Sequence, residues 1–141
     1  MATPLIAIYK ALAVGTPTTG GTDGVMLSNG DRTVPKSIRL NCLINEISPP
    51  QKMAIRCANL YTTLGSTTIN IVGATADMWA LALDAGGTPD AFQPWGDPLV
   101  ITTPVRAVNT IFWIKARASS AELPSLDSCC SLEIDCSVTL E

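Results

Sequence analysis

Apolar and polar positions alternate with period two through most of the chain. Over residues 36–45, Ile38, Leu40, Cys42 and Ile44 fall on one face, and Ser37, Arg39, Asn41 and Asn45 on the other, with Leu43 as the exception. Residues 131–141 alternate more cleanly. Leu132, Ile134, Cys136, Val138 and Leu140 face one way, and Ser131, Glu133, Asp135, Ser137, Thr139 and Glu141 the other. A strand sends successive side chains to opposite faces, so this is the pattern of half-buried antiparallel strands. Shorter runs fill the middle. Residues 51–58 group Met53, Ile55 and Cys57 against Lys52 and Arg56, and 67–72 are rich in β-branched side chains. Residues 78–84 put Trp79, Leu81 and Leu83 together, although Met78, Ala80 and Ala82 between them leave a short helix open. Residues 99–103 and 110–118 follow, the latter with Phe112, Ile114, Ala116 and Ala118 as the inner row; 5–9 and 24–28 are further short strands.

Turn residues separate these runs: 15–24, Asn29-Gly30-Asp31, Ser48-Pro49-Pro50, Gly86-Gly87 and 93–98. No segment sustains a three-four apolar spacing beyond two turns. Seven to nine short antiparallel strands predict an all-β chain, residues 1–141 folding as one two-sheet sandwich. The Thr- and Gly-rich stretch 15–24 reads as a mobile loop within it.

Composition narrows the function. The chain has 141 residues, 47% of them hydrophobic, which excludes a disordered polymer. Charged residues make up 15%, against about 25% in an ordinary soluble domain. A net charge of −3 offers no basic stripe for phosphate, so no nucleic-acid partner is expected. There is no histidine. The start Met1-Ala2-Thr3-Pro4 lacks a basic region, and Lys10 interrupts the apolar run 5–14. These features predict neither a secretory signal nor a membrane span, and a chain kept in the cytoplasm or leaving it by a route without an N-terminal mark. The five cysteines (Cys42, Cys57, Cys129, Cys130 and Cys136) are odd in number, without Cys-x-x-Cys spacing. They are expected to be reduced, with Cys42, Cys57 and Cys136 core-facing and no metal bound, although a bridge between two strands stays open.

Catalysis finds little support. Asp84, Asp90 and Asp97 flank a loop holding Phe92 and Trp95, but acids in turns ordinarily serve the turns. No Gly-x-Ser-x-Gly, P-loop or dinucleotide fingerprint occurs, so the chain is expected not to be an enzyme, with no cofactor and no small-molecule substrate. Among the tryptophans, Trp79 reads as core. Trp95, with Phe92, either plugs one end of the sandwich or stacks on a sugar ring. Trp113 shares the outward row of residues 110–118 with Ile111, Lys115 and Arg117, an amphipathic row that predicts a contact with another chain, the alternative being cover by a second layer or the N-terminal arm.

The segments Met78-Trp79-Ala80-Leu81-Ala82-Leu83-Asp84, Trp95-Gly96 and 109–118 resemble the tryptophan strand and a late aromatic strand of immunoglobulin-like or fibronectin-like modules. The Ala-Thr-Pro start and the Thr/Ala/Gly-rich body are similar to small structural proteins of tailed bacteriophages. The resemblance covers residues 36–141 and implies an immunoglobulin-like sandwich in a virion, as a capsid decoration or tail/baseplate accessory subunit. Its implied partners are copies of itself and other virion proteins, joined in the host cytoplasm. The alternative is a surface-binding module that takes carbohydrate through Phe92 and Trp95.

Overall fold

The alternating runs fold as strands. The computed structural model describes residues 6–10, 17–28, 50–73, 76–117 and 130–140. The strand expected over 36–45 lies outside them, as do Cys42, Ala118 and Cys129. The described strands are β1 (Ile6–Lys10), β2 (Val25–Ser28), β3 (Gln51–Cys57), β4 (Tyr61–Gly73), β5 (Trp79–Leu83), β6 (Leu99–Ile101), β7 (Thr110–Ala116) and β8 (Cys130–Leu140). They form two antiparallel sheets, a five-stranded one in the order β2-β1-β3-β7-β5 and a three-stranded one in the order β6-β4-β8. One core joins both sheets. Ile8, Met53, Ile55, Trp79, Leu81, Phe112 and Ile114 meet Ile69, Ile71, Leu99, Ile101 and Leu132.

Register carries the sequence pattern into space. The row Phe112, Ile114 and Ala116 faces the core, as expected, and Met53, Ile55 and Cys57 align beside it. For residues 78–84 the strand prevails over the short helix. Helix propensity separates these residues by only a few tenths of a kcal/mol each, while burying Trp79 or Leu81 is worth about 1.5–3 kcal/mol. Pairing from Trp79↔Ala116 to Leu83↔Phe112 achieves that burial, after a single 3-10 turn at Ala76–Met78. In β8 the expected inward row runs from Leu132 through Val138 but stops short of Leu140. That side chain, at the last pair of the ladder opposite Tyr61, is 65% exposed.

The free side of β5 is closed by irregular backbone. Asp90 N–H donates to Leu83 O at 2.8 Å, Gln93 N–H to Leu81 O at 2.8 Å and Gly96 N–H to Trp79 O at 2.8 Å. Donors three residues apart serve acceptors two apart, so the segment is bulged and is not a strand. It nevertheless satisfies the edge carbonyls.

Charge is sorted between the sheets. Every charged residue within the strands of the five-stranded sheet is basic: Lys10, Lys52, Arg56 and Lys115. Within the three-stranded sheet the charged residues are Glu133 and Asp135, both acidic.

Candidate functional site

The outer face of the five-stranded sheet has a small-beside-large pattern. Tyr9 lies across from Ala54, Arg56 from Ala7, Trp113 from Ala82 and Lys115 from Ala80. Cross-strand neighbours on one face are about 5 Å apart, so each alanine gives a long side chain room to lie flat. All four alanines are buried. Ile111, the first member of the expected contact row, is 4% exposed and belongs to this floor, so it offers no surface of its own. Trp113, Lys115 and Arg117 are half-buried.

The structure brings the two sets of sequence candidates together. The segment that closes the β5 edge carries Phe92 and Trp95 onto the row of β7. Lys115 Nζ stands 4.3 Å from the Phe92 ring centre and 5.1 Å from that of Trp95; the Arg117 guanidinium carbon is 4.6 Å from the Trp95 ring. Cations over ring faces gain about 0.5–2 kcal/mol each, depending on how dry the site is. Gly96 fixes the position of Trp95. Its φ is +86°, and a Cβ there would come within 3.3 Å of Asp77 Cα, so the turn closes tightly on the 3-10 turn only with glycine. Arg117 also donates to Asp77 O at 3.1 Å, and Trp113 Nε1 donates to Asp84 Oδ1 at 2.9 Å.

Two of the three loop acids, Asp84 and Asp90, are occupied with local structure. Asp84 also accepts from Gly87 N–H, and Asp90 Oδ1 accepts from Ala91 N–H at 2.8 Å. Among the described residues no three of His, Cys, Asp or Glu stand close enough to share a metal ion. No helix among them is long and apolar enough to cross a membrane.

A second polar cluster, absent from the sequence reading, centres on Asn109, which is 3% exposed. Its Nδ2 donates to Thr18 O at 3.1 Å, Asp23 O at 3.2 Å and Asp23 Oδ1 at 2.9 Å, while its Oδ1 accepts from Arg56 Nη1 at 2.7 Å. Arg56 also donates to Asp23 O at 2.8 Å and stacks 3.6 Å above the Tyr9 ring. Backbone bonds join Gly20 and Gly21 to Asn109. Residues 17–24, part of the stretch read as a mobile loop, are thereby tied to the entry of β7. The Thr18 backbone N–H, the strongest influence on Asp23, holds its carboxyl below the usual value. No motif spacing announces this cluster, because its three parts, residues 18–23, Arg56 and Asn109, lie 33 to 91 residues apart.

Cys57 and Cys136 carry free thiols. Burial pushes the Cys57 thiol up to about 11, with Cys136 across the core adding to the effect. Burial also raises Cys136, followed by the charge of Asp135 beside it.

Comparison of the chain with protein-family models, curated proteins and solved structures finds no match. The functional reading therefore rests on the residues of this chain.

Proposed function

We propose that this chain is a virion structural protein of immunoglobulin-like sandwich type, a capsid decoration or tail/baseplate accessory subunit that acts through protein–protein interfaces. The observation that carries the reading is the cluster of Trp113, Lys115 and Arg117 with Phe92 and Trp95. Tryptophan and arginine are the residue types that most often anchor protein contacts, and here Trp113 stands half-buried on β7 and Arg117 half-buried just after its end. Among the described residues neither Lys115 nor Arg117 is paired with a carboxylate; their neighbours there are rings and a backbone carbonyl. The low charged fraction of the chain supports the same reading, since a surface covered by neighbours needs fewer charges for solubility. Sugar binding through Phe92 and Trp95 fits less well, because the ring faces turned toward β7 are already taken by cations.

The test is physical presence in a particle. Particles banded from the source culture by density gradient should contain the chain at a fixed ratio to the main shell or tube protein. An antiserum to it should label them at regular positions. A chain that stays with the soluble fraction, with no label on any particle, refutes the reading.

A further inference from the structure

We infer that copies of this chain associate front to back, with the basic outer face of the five-stranded sheet of one copy against the acidic outer face of the three-stranded sheet of the next. The sorting of charge between the sheets carries this. Strand alternation turns Lys52 and Lys115 away from the core on one side of the sandwich, beside Trp113, and register pairs Lys52 directly with Trp113. On the other side, Asp135 points outward from β8 opposite Thr68 of β4. Around it the same face exposes two large apolar side chains, Leu64 at 59% and Val100 at 44%. Each face thus combines apolar area with a net charge, positive on the side of Lys52, Arg56 and Lys115, where the carboxylates of Asp84 and Asp23 offset part of it, and negative on the side of Asp135. Like faces repel and unlike faces attract, so the occupant that fits either face is the other face of a second copy. The two surfaces differ, so the contact is heterologous; it repeats into a ring or an open stack and does not stop at a dimer. Of the acids in the loops along β5, Asp84 reaches the Lys52–Lys115 strip through its bond from Trp113 Nε1, while Asp77, Asp90 and Asp97 stand in the loops beside it.

Sedimentation velocity over a wide concentration range tests this. At low salt the wild type should form species larger than a dimer, which dissociate in about 0.5 M salt as the charges are screened. Asp135→Lys and Lys52→Glu should each weaken association at least tenfold while leaving the melting temperature unchanged, and an equal mixture of the two should associate again. Ser137→Lys, on the same exposed face, is the second variant should Asp135→Lys fold poorly. A monomer at every concentration and salt overturns the inference. So does a closed dimer indifferent to both the Asp135 and Ser137 variants. The particle test above fails separately: a chain present in particles but monomeric in solution sinks the stacking alone, and a chain that stacks but is absent from particles sinks the virion reading alone.

Discussion

Replacing Asn109 with alanine should destabilise the fold far more than its place in a loop implies. The side chain makes two charge-assisted hydrogen bonds, one from Arg56 and one to the Asp23 carboxylate, and shares its remaining donor capacity between two carbonyls. Hydrogen bonds involving charged groups are worth about 1.5–3 kcal/mol each. Arg56 keeps its bond to Asp23 O in the variant, which offsets part of the loss, so a cost of about 2–4 kcal/mol is expected. Unfolding entropy near 2.1 cal/mol/K per residue gives about 0.3 kcal/mol/K for a chain of this length. The melting temperature should therefore fall by roughly 7–13 °C, read by circular dichroism or calorimetry. Asn109→Asp sharpens the test. It keeps an acceptor for Arg56 but turns an acceptor, in place of a donor, toward Asp23. It should lose as much at pH 7 and regain part of it below about pH 4, where the new carboxyl is neutral. A melting temperature within about 2 °C of wild type for Asn109→Ala would show that water replaces the clamp at little cost, and the reasoning would fail.

Gly24→Ala should cost roughly 1–3 kcal/mol in thermal or urea denaturation, because φ is +105° and the new Cβ would lie 3.0 Å from Pro17 Cγ and 3.1 Å from Tyr9 Cβ. Gly65→Ala, at φ +70° with open space around it, bears the backbone cost alone and should lose less, about 1 kcal/mol. Stability should decline between pH 9 and about 11: the folded state holds the Cys57 proton more tightly than the unfolded chain, whose thiol ionises near 9.0, and Cys57→Ala should flatten that decline. At the acid end, the Asp23 contribution is present above 3.8 and lost as pH falls through its lower folded value, so amide exchange at residues 17–24 should quicken only below about pH 3.8. Truncation after Asp127 removes β8, the strand that pairs with β4 from Tyr61 to Gly73, together with buried Leu132, and should abolish cooperative melting; a soluble, cooperatively melting product would refute this.

The strands were legible wherever polarity alternates. Met53, Ile55 and Cys57, or Phe112, Ile114 and Ala116, state their own face. The first half of β4, by contrast, reads Tyr-Thr-Thr-Leu-Gly-Ser, where threonines suit either face and the register shifts between Leu64 and Thr68. Trp113, Lys115 and Arg117 could be placed on one row from spacing alone, because that row runs along one strand and the residue that follows it. Their meeting with Phe92 and Trp95 could not, since it depends on how a loop of no regular structure returns along β5. The burial of Ile111 was illegible for a related reason. A period of two tells which side a residue takes, not how deeply its neighbours cover it. The Asn109 cluster joins residues from distant turns, and hydrogen bonding between turns leaves no periodic trace.

The bulged cover of β5 bears on what happens when many copies are crowded together. Cross-strand polymerisation needs a template with evenly spaced donors and acceptors, and an arriving extended chain finds at this edge carbonyls already spent on Asp90, Gln93 and Gly96. Copying that geometry would require a second segment with the same three-for-two mismatch. Growth of an ordered fibril from this side is thus blocked by arithmetic in the backbone, independently of which side chains the loop carries. Substitutions at Phe92 or Trp95 can retune the surface without reopening the edge, provided the three N–H groups keep their places.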